Sequence, residues 1–272
     1  MVNGFKVGLG IVTCDRPDYL LQSYQSVVNN CRDLDILSVV NDGQHFSKEL
    51  SSKLTTMSFM RVTESYTHEH CPLYQNVAVG KNDIMEQLLY RGCDYIFVME
   101  DDMIIKSPDV FKAYIEAMEA SGIKHMNFAK HGQANAVNGV IKPKSWVNYD
   151  GHKVGLYPNL VGSLNIFHKD VLNEVGLYDT EYHNAYEHID HTYRVCQTGK
   201  YHPQFWNFAD LVDSEEYVTE IEGSIENTTR KDVSEHVKNG YNRFIEKYGI
   251  RINQVPRVSN KELTQKLIQL KP

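Results

Sequence analysis

The residues best suited to chemistry are acidic and directly follow an apolar run. The stretch CDYIFVM at 93–99 leads into Glu100, Asp101 and Asp102. Three adjacent carboxylates repel one another, and a hard divalent cation offsets that repulsion because carboxylate oxygens suit Mg2+ or Mn2+. A solvated acidic turn ahead of the next helix is the plainer alternative. Asp42 ends a second apolar run at 36–40, and Thr13, Cys14, Asp15 and Arg16 follow a first one at 5–12. Ligands of open parallel sheets bind beyond the carboxyl ends of the strands, so the three polar clusters read together as one binding site.

A second group lies downstream, in Glu187-His188-Ile189-Asp190-His191. At helical spacing Glu187 and Asp190 share a face, as do His191 and Arg194. Imidazole has an intrinsic pKa of about 6.5, which suits His188 to proton transfer near neutral pH.

The elements that must position these groups alternate in type. Apolar runs at 5–12, 36–40, 57–62 and 93–99 read as strands, and the last is apolar enough to be buried on both faces. Between them, 18–28, 47–56 and 76–90 have helical spacing. Repeated β-α units of this length predict an α/β fold with a doubly wound, mostly parallel sheet. Beyond it, 107–120, Lys169–Val175, 185–198 and Val233–Tyr248 read as helices, the last three each followed by glycine. Residues 131–158 have little periodicity and read as strands and loops over the site.

Composition narrows the function classes. With 272 residues, 42% hydrophobic and 23% charged, the chain has an ordinary globular make-up. A net charge of −7 argues against general nucleic-acid coating. From Thr229 onward ten Lys/Arg stand against four Asp/Glu, so this segment is basic. It reads as a solvated helix or as an anion-binding surface. The cysteines Cys14, Cys31, Cys71, Cys93 and Cys196 are scattered without a C-x-x-C pair, which suits free thiols and a cytoplasmic setting. No apolar run reaches the length of a membrane span.

GLGIVTCDRPDYLLQSYQSV, VVNDG, NVAVGKNDIMEQLL, DYIFVMEDDM, GSLNIFHKDVLNEVGLYD and YEHIDHTYRV occur in that order. Together they resemble the landmarks of glycosyltransferase family 2 enzymes, which have the GT-A fold, over roughly residues 6–195. The resemblance implies an inverting enzyme that takes a sugar from a nucleotide-sugar, most readily a UDP-sugar. It places Thr13, Asp15, Arg16, Asp42 and Lys81 near the nucleotide, with Glu100 and Asp101 also on the nucleotide-sugar and Glu100 and Asp102 as the outer members of the Asp-x-Asp-like motif. Asp102 would be the direct ligand of Mn2+ or Mg2+, and Gly162 and Ser163 would line the sugar site. Many relatives read Glu-Asp-x-Asp where this chain reads Glu187-His188-Ile189-Asp190. His188 therefore stands at the usual base position, with Asp190 and then Glu187 as rivals. Asp213 is the candidate second metal ligand, with His202 and His236 as alternatives.

Among Trp146, Tyr149, Tyr157, Tyr186 and Trp206, sugar-stacking roles are assigned as candidates to Trp146 and Tyr186, the acceptor side. The expected layout is a catalytic domain over 1–228, its nucleotide half about 1–105 and its acceptor half about 106–228. A basic helical extension, 229–272, packs on it. The acceptor is a glycan, a lipid-linked sugar, a protein or a modified DNA base, and the basic segment allows peripheral contact with a surface. Two other functions fit less of the pattern: a non-catalytic nucleotide-sugar or glycan binder, and a sugar-phosphate nucleotidyltransferase. The latter calls for a Gly-rich loop where residues 8–12 are strand-like.

Overall fold

The computed structural model describes residues 1–58, 64–69, 76–224 and 232–272. The chain begins β1 (Val7–Thr13), α1 (Pro17–Asn30), β2 (Ile36–Asn41), α2 (Lys48–Ser58), β3 (Glu64–Glu69), α3 (Val77–Tyr90) and β4 (Tyr95–Glu100). Its four strands are parallel, in the order β3-β2-β1-β4. Next come β5 (Met103–Ile105), α4 (Val110–Ser121), β6 (His125–Asn127) and the small hairpin of β7 (Ala136–Val137) and β8 (Val140–Ile141). A second hairpin, β9 (Ser145–Tyr149) and β10 (His152–Tyr157), leads to β11 (Leu164–His168). β11 returns to the main sheet antiparallel to β4, and β6 pairs on its far side, giving β3-β2-β1-β4-β11-β6. The chain continues through α5 (Lys169–Val175), α6 (Glu187–Gln197), β12 (Phe208–Leu211), β13 (Val218–Glu220), α7 (Val233–Tyr248) and α8 (Asn260–Gln269). β12 joins β10 and β9 in a three-stranded sheet, while β13 pairs with β5.

The apolar runs explain the layering. Successive side chains of a strand point to opposite faces. Val7, Leu9 and Ile11 of β1, with Tyr95, Phe97 and Met99 of β4, pack among α1, α2 and α4. Ile96 and Val98 of β4, with Val12 and Val40, pack against α3 and α5 on the other face. This is the doubly wound arrangement expected from the sequence. Gly8 and Gly10 are strand residues that let α3 approach: a Cβ on Gly10 would stand 2.0 Å from Ile84, and one on Gly8 would stand 2.7 Å from Leu88.

One strand expectation is corrected. Leu50, Leu54 and Met57 repeat at i, i+4 and i+7, and they carry α2 through Ser58 rather than starting a strand at Met57. Residues 59–62 of that expected strand lie outside the described residues, and the third strand is Glu64–Glu69. The basic segment also differs from a free surface helix. α8 buries Leu263 and Leu267 in the main core, and Tyr149 donates its hydroxyl to the Leu267 carbonyl at 2.8 Å. On α7, Arg243 and Lys247 pair with Asp179, so part of the positive charge is already matched. No helix among the described residues is long and apolar enough to cross a membrane.

Candidate active site

At the carboxyl ends of β1 and β4, Thr13 donates its hydroxyl to Asp101 Oδ2 at 2.6 Å. Arg16 places Nη1 3.2 Å from Asp101 Oδ1 and 3.4 Å from Asp102 Oδ2. Burial pushes the Asp101 carboxyl up to about 7, against the pull of Arg16 and the Thr13 hydroxyl, with Asp102 and Glu100 adding to the rise. Asp102 is 4% exposed, and its Oδ1 has no hydrogen-bond partner among the described residues.

His131, in the turn after β6, brings Nε2 to 3.8 Å from Asp102 Oδ2 and 3.5 Å from Glu220 Oε2. Burial works against charge on this ring, but Asp102 and the Glu100 and Glu220 carboxylates outweigh it and hold its pKa above the ordinary value. The sheet makes this meeting possible: β13 pairs with β5, and the Ile221 amide bonds to the Asp102 carbonyl at 2.7 Å. Glu220 is fixed by the Gly132 amide, at 2.8 Å. The turn is anchored in its own way, because buried Asp210 accepts the Ala129 amide, the Ser214 hydroxyl and the Tyr114 hydroxyl.

Among the described residues, no group of three or more His, Cys, Asp or Glu side chains forms a ready-made ligand shell. The donors nonetheless fit a divalent cation that keeps water or phosphate oxygens as further ligands, as Mg2+ commonly does. The orphaned Asp102 Oδ1 is the observation that favours the fit. Asp102 would be the principal ligand, with His131 in reach.

Next to this cluster, a cavity of about 330 Å3 is lined by Thr13, Asp15, Arg16, Asn41, Phe46 and Leu50, among others. Asp15 caps the second strand end, accepting the Gln44 amide at 2.6 Å. Asp42 is 3% exposed and is not among the lining residues.

The second cluster opens α6. Glu187 is buried and its Oε1 takes two contacts, His188 Nδ1 at 3.0 Å and Lys81 Nζ at 3.3 Å. His188 is half-buried and lies against Gly162, where a Cβ would stand 2.9 Å from Nδ1. Lys81 also donates to Glu100 Oε1 and to the Gly162 carbonyl, each at 2.9 Å. The Glu100 amide bonds to the Ser163 carbonyl at 2.8 Å. One buried ammonium thus ties the end of β4, the loop before β11 and the start of α6.

Several sequence-based assignments change here. Lys81 was expected beside the nucleotide, but its side chain is wholly buried and faces carboxylates instead. Asp190 is a poor base: it is fully buried and receives Arg194, the Tyr248 hydroxyl and Lys247 at 3.0, 2.6 and 2.8 Å. Asp213 stands before the short turn Ser214–Glu216, where its charge acts on Lys130, Tyr157 and Tyr217. His202 is sealed in the core between Cys196 and the Ala209 amide. His236 lies in the first turn of α7. Tyr149 and Tyr157 are core residues. Trp146 is 52% exposed on β9, and among the described contacts it meets neither cluster. Tyr186 precedes α6 in a left-handed conformation and packs against Gly240 of α7. Trp206 lies under Arg257, 5.3 Å from the ring centroid. His131 and Glu220 were missed, since each is an isolated residue in sequence and only strand pairing brings it to Asp102.

No family model matches this sequence, and no curated protein matches it either. Solved structures do match. TarS of S. aureus, as a fragment of residues 1–349, aligns over 98% of this chain and 81% of its own at 10% identity, with a TM-score of 0.54. The longer TarS structure aligns over 97% of this chain and 42% of its own at 11% identity, with a TM-score of 0.55. The fold is GT-A-like. A mannosyltransferase of Pyrobaculum calidifontis, PcManGT, solved with GDP-Man and Mn2+, aligns over 65% of this chain at 13% identity, with a TM-score of 0.45. This chain spans about half the length of that protein and of the longer TarS structure.

Proposed function

We propose that this chain is an inverting glycosyltransferase that moves a sugar from a nucleotide-sugar donor, a UDP-sugar or a related one, to an acceptor hydroxyl. The observation that supports this most is the junction at Lys81. It joins a carboxylate cluster suited to a cation and a histidine suited to proton transfer into one site, at the strand ends of a GT-A-like sheet. Binding without chemistry would not call for the second half of that pairing.

The roles follow from the contacts. Arg16, Thr13 and Asp15 border the cavity that would take the nucleotide. Asp102, with His131 in reach, would hold Mn2+ or Mg2+, and the cation would offset negative charge gathering on the departing diphosphate. His188 donates Nδ1–H to Glu187, which leaves Nε2 as the acceptor for the proton of the attacking hydroxyl. Glu187 then stabilises the imidazolium, while Lys81 holds Glu187 in place. Gly162 leaves room for the imidazole ring. Residues 1–228 would form the catalytic unit, with 229–272 braced against it, and the acceptor would be a glycan, lipid-linked sugar, protein or modified DNA base.

A screen of UDP-, GDP- and CDP-sugars, read as free nucleotide released with Mn2+ or Mg2+ present, tests this reading. One donor class should be consumed, and both chelator and Asp102→Asn should abolish the release. Turnover of a donor that survives chelator and Asp102→Asn alike would sink the cation assignment. Failure to consume any nucleotide-sugar would sink the enzyme reading.

A further inference from the structure

We propose that Arg16 makes a divalent cation and a nucleoside diphosphate bind this site together rather than singly. The inference rests on the glycosyltransferase reading above and concerns how its two ligands depend on each other. Arg16 carries a permanent positive charge and lies across the two aspartates, its Nη1 3.2 Å from Asp101 Oδ1 and 3.4 Å from Asp102 Oδ2. A cation seated on Asp102 would compete for the same carboxylate. Two like charges on one carboxylate repel strongly in a site this enclosed, where Arg16 and Asp102 side chains are 11% and 6% exposed. Alone, a cation on the open Oδ1 must bear the repulsion of the guanidinium held on Oδ2.

The grip on Arg16 is loose enough to yield. Its contacts to Asp102 and to the Ser224 carbonyl are both 3.4 Å, long for charge-assisted hydrogen bonds. Its Nε is buried with no hydrogen-bond partner among the described residues. The guanidinium rests 4.2 Å from the Tyr19 ring centroid, an aromatic platform along which it can shift without losing that contact. A diphosphate offers the planar fork paired oxygens of matching geometry and gives Nε an acceptor. When a diphosphate draws Arg16 away, the repulsion at Asp102 is relieved and both of its oxygens face the cation, which in turn neutralises the diphosphate. His131 also lies near Asp102 Oδ2, but at 3.8 Å it is farther away than Arg16 and does not reach Asp101, so the coupling falls to Arg16, which spans both aspartates.

Binding linkage makes the effect reciprocal: the factor by which nucleotide tightens the cation equals the factor by which the cation tightens nucleotide. The test measures Mn2+ affinity, by electron paramagnetic resonance of free Mn2+ and by calorimetry, with no nucleotide and with saturating UDP or GDP. Wild type, Arg16→Gln and Arg16→Lys are compared. In Arg16→Gln, affinity for Mn2+ alone should rise about tenfold or more, and the coupling factor should fall from the usual range of about 5–150 toward that of the nucleotide–metal chelate itself. Arg16→Lys keeps a charge without the fork that spans both aspartates, and should fall between the two. It carries the test if Arg16→Gln folds poorly. A gain in affinity is not what a merely structural arginine would give on removal. If wild type binds Mn2+ with nucleotide, but the variants bind Mn2+ alone no more tightly than wild type, the inference is overturned and the enzyme reading stands. If Mn2+ binds none of the proteins, with nucleotide or without, the cation reading itself falls and takes the inference with it.

Discussion

Just past the end of β4, Asp101 and Asp102 have Arg16 and His131 at 3.2–3.8 Å, and one Asp102 oxygen has no hydrogen-bond partner among the described residues. At the start of α6, Glu187 and Asp190 are more deeply buried, and built-in cations meet both: Lys81 at Glu187, and Arg194 and Lys247 at Asp190. The two regions use the same residue types to opposite ends. Asp190, held by three donors at 3.0 Å or less, belongs to the architecture. Where acceptor capacity is left unmatched, the carboxylate is available to a ligand. Within α6 the contrast is finer still, since Glu187 shares its oxygen with a half-buried histidine and Asp190 does not.

The largest expected effect falls on His188. With the donor that the screen identifies, His188→Ala should lower transfer by about 10²–10⁴-fold while leaving nucleotide affinity near wild type. Near wild-type turnover in that variant would reduce the α6 cluster to architecture and remove its part of the comparison. Lys81→Met comes next and reads stability. It leaves Glu187 and Glu100 without their shared cation, and breaking a buried pair from one side costs about 3–5 kcal/mol, measurable by urea unfolding. Asp102→Asn should change stability by about 1 kcal/mol or less, because Arg16 keeps Asp101 as partner. Equal losses in the two variants would erase the distinction between the clusters.

The smallest effect concerns the floor beneath α6. His125 is fully buried, bonded to the Ile166 carbonyl and to Thr192 of α6, and burial lowers its pKa to about 4. The unfolded chain takes up this proton near 6.5 and the folded protein near 4. The neutral ring therefore contributes stability above pH 6.5 that drains away as pH falls through about 4, by about 3 kcal/mol in full. In His125→Gln this slope is gone, so its deficit relative to wild type should shrink between pH 6.5 and 4. A constant difference in unfolding free energy across that range would mean that burial leaves the ring's proton uptake unchanged. Asp101 and Asp210, raised to about 7 and about 6, oppose the trend in wild type, which is why the comparison with the variant is needed.

Much of the nucleotide half was legible in the sequence because parallel strands buried on both faces leave long apolar runs, and each ends in a polar turn. β1, β2 and β4 stand where those runs predict, as do α1, α3 and α6. β3 was misplaced because its residues, ESYTHE, carry no apolar run, while the apolar Met57 belongs to the stripe of α2. At the site, local spacing revealed the acidic triplet and the Glu187-His188 pair. It could not reveal His131 and Glu220, which reach Asp102 only through the pairing of β13 with β5. Nor could spacing separate Asp190 from Glu187. Both lie on the buried side of one helix, and their partners come from α7 and α3, far away in sequence. The Leu263 and Leu267 pattern in α8 was hidden among charges that read as solvent-facing.

The order of the main sheet also constrains how the molecule is assembled. β6 is made before β11, yet it hydrogen-bonds into the sheet only through β11, which lies between it and β4. β1, β2 and β3 can zip from neighbouring β-α units, whereas β4 returns past β2 and β3 to pair with β1. β6 must wait, with its edge open, until a strand that follows two intervening hairpins arrives to receive it. Closing so long a loop has an entropic cost before any pairing rewards it. The turn that carries His131 begins where β6 ends, so its place in the site depends on β11 having joined the sheet.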